Sequence, residues 1–327
     1  MGFARRLTSR LFKADDSARQ QWVRDAALID AEELGVTGLE IVKLRGDHKL
    51  VLRCESAAWG RCVLKSMPRY SGRAGYRSHV AATKFAHEVG PELFPALYHV
   101  GDNLTVEQWI DGPSLKRLPE NEWADVDFVS FLQKLRSLSL AVTPARKAMS
   151  SSELHLVLES YLNRSFGFLK FLTRTERVRA AGRLYRNRRT IRAAIQRYYG
   201  CAASRQIRAG NVIDDLNDSN VHFDRASKRP VIIDSEDLRI GVPSFDVAWL
   251  LTTMARGRCP MQVLVDGYEY MASSAWGNNR DEMHLANALL TLLLTIDLLT
   301  IPRPLEKTRG LLAHVNRFEH ALPLTKS

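Results

Sequence analysis

One forty-residue stretch, 211–250, constrains this chain more than any other: NVIDDLNDSNVHFDRASKRPVIIDSEDLRIGVPSFDVAWL. It is β-like and rich in loop residues, and it lies between long segments of helical period. Asp215 and Asn220 stand five positions apart within it, on a loop between apolar pieces, and Asp234 ends the apolar run Val231-Ile-Ile. A carboxylate at a strand end can converge with an Asn and a second Asp on a nearby loop. Such hard oxygen donors suit Mg²⁺, which is held by a few carboxylate or amide oxygens together with substrate phosphates. Asp and Asn also favour turns for local reasons, so the remainder of the chain has to decide between a site and a loop.

The chain has 327 residues, more than the roughly 250–300 at which a single core stops growing, so two lobes are expected. The first part carries β-rich pieces over 39–44, 49–54 and 61–65, the last after the turn signal Trp59-Gly60. A helical stretch follows over 76–89. Two more strands, 95–100 and 104–110, flank a Gly101-Asp-Asn turn. After Asp111-Gly112-Pro113 the character changes. The period predicts helices over 126–139 and 153–199, the second broken near Gly182, then the β-like patch, then helices from Phe245 onward. The expected architecture is α+β: a basic helical extension over 1–35, a small β-rich N-lobe over 36–110, and a larger helical C-lobe over 111–327. Asp111 to Pro113 is the hinge between the lobes.

Three ordered stretches carry a resemblance: Asp215-Leu-Asn-Asp-Ser-Asn220, Ile233-Asp234-Ser-Glu236 and Gly241-Val-Pro-Ser-Phe-Asp246-Val-Ala248. With the sheet-rich part ahead of them they resemble the aminoglycoside phosphotransferase and choline kinase branch of the protein-kinase-like phosphotransferases, whose pattern reads HGDLxxxN, IDxE and GxPxxDxA. The resemblance runs from Leu39 to Met254, about two-thirds of the chain. It implies a two-lobed kinase-like fold with ATP and Mg²⁺ as cofactors. By the resemblance, Asp215 orients or deprotonates the acceptor hydroxyl, Asn220 and Asp234 ligate Mg²⁺, and Asp246 braces the loop. Lys65, ending the strand Cys62-Val-Leu-Lys65, matches the lysine that pairs with the nucleotide phosphates. Gly46, in Arg45-Gly46-Asp-His48, matches a single-glycine turn over them. The backbone from Gln108 to Ile110 matches the hinge that meets adenine. Phosphoryl transfer needs in-line placement and charge neutralisation more than covalent help, so a base, two metal ligands and a lysine suffice.

Three positions depart from the pattern. The helix after Lys65 reads Arg77-Ser78-His79-Val-Ala-Ala, with no acid where the lysine's partner is expected; Glu88 comes late. Ile213-Asp214 replaces the His-Gly before Asp215, which suggests apolar bracing. The Leu-His pair of the first long helix reads Leu135-Arg136.

Composition excludes several classes. With 45% hydrophobic and 25% charged residues the chain is neither disordered nor collagen-like. Cys54, Cys62, Cys201 and Cys259 form no CxxC pair and no zinc pattern, so free thiols in a reducing compartment are expected. The apolar run 285–299 is interrupted by Asn287 and Asp297 and reads as a buried helix. A cytoplasmic protein is expected.

The net charge of +11 asks for an acidic partner. Residues 171–200 hold nine arginines against the single acid Glu176. In the first 13 residues, Phe3, Leu7 and Leu11 recur at helical spacing among Arg5, Arg6, Arg10 and Lys13, as in a short helix at an anionic membrane surface. Both lie outside the transfer motifs. They point to an acidic hydroxyl acceptor, a small molecule, sugar or glycolipid such as a lipopolysaccharide core sugar, and to a peripheral position at the inner membrane. A nucleotide-binding pseudokinase acting as a regulatory module is the alternative reading. A nucleic-acid-binding protein is the third; the aromatics Tyr185, Tyr198 and Tyr199 are too clustered for a stacking platform, which disfavours nucleic acid as partner.

Overall fold

The computed structural model describes residues 31–45, 49–66, 75–101, 104–141, 149–203, 207, 209–213, 215–235, 238–273, 276, 280–302 and 305–321. The expected N-terminal basic helix and the Gly46 turn lie outside them. The chain divides into two compact units, Met1–Ile110 and Asp111–Ser327.

The first unit is an antiparallel sheet of five strands: β1 (Val36–Arg45), β2 (Lys49–Ser56), β3 (Gly60–Ser66), β4 (Leu97–Val100) and β5 (Leu104–Gln108). Their order in the sheet is β1-β2-β3-β5-β4. Helix α1 (Gly75–Val89) connects β3 to the second half. Strand residues alternate between faces, and the alternation sorts this unit's chemistry. Leu50, Leu52, Cys54, Cys62, Leu64, Leu104 and Val106 fill one face as the core. Lys65, Thr105 and Glu107 fall on the other face. Near the start of β1, Gly38 at φ +63° sits where the β1–β2 register shifts, a bulge position that favours glycine. The four thiols are free, as expected, and burial pushes the Cys54 thiol up to about 12.

The second unit is mainly helical. Helix α2 (Phe128–Leu140) begins at Asp127, whose carboxylate accepts the Ser130 N–H at 2.9 Å. Helices α3 (Ser151–Gly167), α4 (Arg174–Arg186) and α5 (Arg188–Ala203) follow. The long helical stretch breaks elsewhere than at Gly182, which sits inside α4. A mid-helix glycine costs only about 1 kcal/mol against alanine. The stretch breaks twice, over 168–173 ahead of α4 and again at Asn187, whose side-chain amide donates to the Arg183 carbonyl at 2.9 Å and closes the helix end. The start of α4 is fixed by a capping box between Thr173 and Glu176.

Two short hairpin-like pairs interrupt the helices: β6 (Gly210–Ile213) with β9 (Leu238–Gly241), and β7 (Val221–Asp224) with β8 (Arg229–Ile232). Then come α6 (Pro243–Ala255), α7 (Met261–Ala272), α8 (Arg280–Thr300) and α9 (Glu306–Ala321). Every residue of α6 is buried. Helix α8 packs against α4, α5, α6 and α9, with Leu285, Leu289, Leu290, Leu292 and Leu293 fully enclosed. Each such leucine contributes roughly 1.5–3 kcal/mol. The apolar run is therefore an interior helix. Its Asp297, also fully buried, receives Arg256 of the α6 end through two bonds of 2.6 and 2.8 Å. Burial raises the Asp297 carboxyl, and Arg256 opposes that rise.

Candidate active site

In the first unit, the antiparallel register sets Lys65 of β3 opposite Thr105 of β5. Glu107, two residues further along β5, is the diagonal neighbour on the same face, within reach of a long side chain. The Lys65 Nζ lies 2.8 Å from the Glu107 Oε2, with the two side chains 9% and 2% exposed. The Thr105 hydroxyl donates to the other carboxylate oxygen at 3.2 Å. The lysine that the sequence leaves without an acid on α1 thus has one on the neighbouring strand. Glu88 of α1 is exposed. His87 of α1 feels both charges; burial lowers its pKa first, Glu107 raises it and Lys65 lowers it.

The end of β5 spends its main-chain donors inside the sheet. The Gln108 N–H donates to the Ala96 carbonyl at 2.8 Å, and the Trp109 N–H to the Arg61 carbonyl at 3.3 Å. Ile110 follows, nearly buried at 8% exposure.

In the second unit, β6 leads into the loop that carries Asp215 and Asn220. Asp246, in the first turn of α6, accepts the Ile213 N–H at 2.7 Å on one oxygen and the Tyr161 hydroxyl at 3.2 Å on the other. Ile213 itself is buried at 1%. Beyond it the loop is tied by its own side chains. The Asn217 side chain accepts the Ser219 and Asn220 N–H groups at 2.8 and 3.2 Å and donates to the Asp215 carbonyl at 3.0 Å. The Asp218 N–H donates to the Thr253 hydroxyl of α6 at 3.1 Å. Asp218 is buried, which raises its carboxyl; Lys116 and Arg256 oppose the rise. These three line a cavity of about 260 Å³ with Asn217, Ser219 and Trp249.

The structure brings Asp215 and Asn220 together. The Asn220 side-chain nitrogen donates to the Asp215 carbonyl at 3.0 Å and approaches its carboxylate at 3.4 Å. With the nitrogen so engaged, the amide oxygen is the atom Asn220 offers a cation. Asp234 follows directly on Ile233, whose N–H donates to the Asn220 carbonyl at 3.0 Å. The carboxylate-bearing strand end is thereby stitched to the loop. The His222 ring senses Asp234, although burial is the larger influence and lowers its pKa. Among the described residues no group of three or more His, Cys, Asp or Glu is disposed to hold a metal. One amide oxygen, from Asn220, and one carboxylate, from Asp234, suit Mg²⁺, which keeps most of its shell for water and phosphate.

The start of the second unit is fastened to this same region. The Phe223 N–H donates to the Pro113 carbonyl at 2.9 Å, and a His222 ring nitrogen lies 3.0 Å from the Gly112 carbonyl oxygen. A methyl group at Gly112 would stand 1.8 Å from the Phe223 carbonyl oxygen, so only glycine fits.

Sequence reasoning named Gly46, Lys65, Gln108, Ile110, Asp215, Asn220, Asp234 and Asp246. It missed Glu107, Thr253 and Tyr161. The alternation of Thr105 and Glu107 was the available signal for the first. The Arg136 that replaces the family's histidine lies 3.9 Å from Glu282 and stacks over Trp276 at 5.2 Å.

A family model described as the phosphotransferase enzyme family matches residues 53–283. No curated protein matches the chain in sequence. Among solved structures, the ADP-bound aminoglycoside phosphotransferase APH(2'')-Ib is similar at TM-score 0.50 and 16% identity, over 89% of this chain and 94% of that one. The choline kinase LicA from Streptococcus pneumoniae is similar at 0.50 and 12%, over 90% and 97%. The macrolide 2'-phosphotransferase MphH from Brachybacterium faecium is similar at 0.50 and 13%, over 89% and 97%. These likenesses establish a kinase-like fold, and with the match across most of its length the chain belongs to the phosphotransferase enzyme family.

Proposed function

We propose that this phosphotransferase uses ATP and Mg²⁺ to move the γ-phosphoryl group to a hydroxyl of a small-molecule, sugar or glycolipid acceptor. The observation that carries the reading is the loop on which Asp215 and Asn220 meet, tied to Asp234 through Ile233 and to Asp246 through Ile213. In the proposed reaction Asp215 accepts the hydrogen bond, and then the proton, of the acceptor hydroxyl as its oxygen attacks the γ-phosphorus and the bond to the ADP oxygen breaks. Asn220 and Asp234 would hold Mg²⁺, which neutralises phosphate charge when bound. Asp246 keeps the loop in place. Lys65 would pair with the nucleotide phosphates. The main chain from Gln108 to Ile110 would meet adenine; with the Gln108 and Trp109 donors engaged in the sheet, the Ile110 N–H is the donor this segment offers. Gly46 would close over the phosphates.

An acidic acceptor is favoured by charge. Arg174, Arg177, Arg179, Arg186, Arg188, Arg189 and Arg192 of α4 and α5 are exposed, a surface that attracts anions. A glycolipid acceptor at an anionic inner-membrane surface, a lipopolysaccharide core sugar for example, accounts for that charge. The test is transfer from radiolabelled ATP across small hydroxyl compounds, phosphorylated sugars and membrane glycolipid fractions. Asp215→Ala is expected to lose about 10²–10⁴-fold in turnover while nucleotide binding persists. Equal turnover in wild type and Asp215→Ala overturns the reading.

A further inference from the structure

We infer that Glu107 is the positioning residue for Lys65, and that it does from the sheet what a carboxylate on the following helix does elsewhere in this fold. The inference rests on the phosphotransferase reading, in which Lys65 meets nucleotide phosphates.

Four observations carry it. The Lys65–Glu107 pair is 2.8 Å apart with both side chains almost fully enclosed. Thr105 holds the second carboxylate oxygen, so the carboxylate's orientation is set on both sides. Lys65, Thr105 and Glu107 are fixed to one another by the β3–β5 ladder itself. Finally, α1 carries a single acid, Glu88, in its last turn, and that residue is exposed.

A buried ion pair is a poor device for stability, because taking two charges out of water costs about as much as their attraction returns. Its presence at the position expected to bind phosphate points to function. An ammonium carries three donors, so contact with Glu107 and with phosphate oxygens is compatible. Where the partner sits on a helix, the lysine is set only when that helix is in place. Here two adjacent strands set it, and the alignment of Lys65 does not depend on α1.

The test uses the full chain and five variants. MgATP and adenosine affinities are measured by calorimetry, and turnover of MgATP by phosphate release or acceptor phosphorylation. Glu107→Gln is expected to lose about 100-fold in kcat/KM for MgATP, the scale of a misplaced reacting group, with adenosine affinity unchanged. A role in folding alone would not separate ATP from adenosine. Glu107→Gln added to Lys65→Met is expected to cost nothing beyond Lys65→Met, because Glu107 acts only through the lysine. The double variant, neutral at both positions, also guards against a single variant that fails to fold. Thr105→Val should lose about fivefold, the worth of one hydrogen bond. Glu88→Gln should match wild type.

The inference is overturned if Glu107→Gln stays within threefold of wild type, if the losses multiply in the double variant, or if Glu88→Gln carries the large loss. Failure of the underlying reading looks different. A wild type without Mg²⁺-dependent turnover that binds ATP no better than adenosine removes the phosphotransferase role of Lys65 altogether. A wild type that favours ATP, with the preference kept in Glu107→Gln, removes only the role of Glu107.

Discussion

The two units hold their candidate site groups by different means. In the first, Lys65 is held side chain to side chain, by Glu107 and through it by Thr105. In the second, the carboxylate of Asp246 grips a main-chain N–H at Ile213, and Asn220 grips a main-chain carbonyl at Asp215. The difference bears on what sequence change each can absorb. Every residue but proline supplies a main-chain N–H. The loop can therefore exchange the family's His-Gly for Ile213-Asp214 without losing its brace. A side-chain pair has no such latitude: moving the acid from helix to strand requires a particular residue at a particular register.

The comparison can be broken or sharpened by substitution. The largest effect on stability is expected for Asp246→Ala, which leaves the buried Ile213 N–H and the Tyr161 hydroxyl without their acceptor. Urea unfolding of the second unit should show a loss of about 3 kcal/mol, with Asp246→Asn intermediate. Should Asp246→Ala unfold like wild type, main-chain anchoring is not what holds the loop. Thr253→Val removes one tie from α6 to the Asp218 N–H and should cost about 1 kcal/mol, read from the same curves.

The smallest effect concerns the first unit and pH. His87 has its pKa lowered from the ordinary 6.5, chiefly by burial. The unfolded chain therefore takes up this proton before the folded one does. The stability His87 contributes is present above about pH 6.5 and is lost as pH falls from there through the lowered folded value. Comparing thermal unfolding of wild type and His87→Gln between pH 7 and 5 isolates the contribution. Parallel profiles would remove it.

The C-terminal half of the site was legible in the sequence because its parts lie close along the chain. Asp215, Asn220, Asp234 and Asp246 fall within 32 consecutive residues; the pattern put the first two on a loop and Asp234 at a strand end, and the family resemblance added Asp246. The strands of the first unit and the interior position of α8 were legible for a related reason, since period and apolar content report local geometry. The Lys65 partner was not legible. The 42-residue separation of Lys65 and Glu107 is spanned by a register, and nothing local in either strand announces which residue lies diagonal to which. The helix break was misplaced because glycine's weak cost was set against an asparagine able to bond the preceding turn. The Asp297–Arg256 pair escaped for the same reason as Glu107: the sequence shows an acid in an apolar helix but not the partner that permits it.

Gly112 has a practical bearing on how the molecule can be taken apart. Its α-carbon lies against the Phe223 carbonyl with no room for a single added carbon, and Pro113 beside it is bonded to the same strand. The segment read from the sequence as a hinge carries the first stitch of the second unit. Anyone expressing the halves separately should cut before Asp111. A cut or an inserted tag two residues later would tear out the support of the β7 hairpin, and the damage would resemble an active-site mutation although no site residue had been touched.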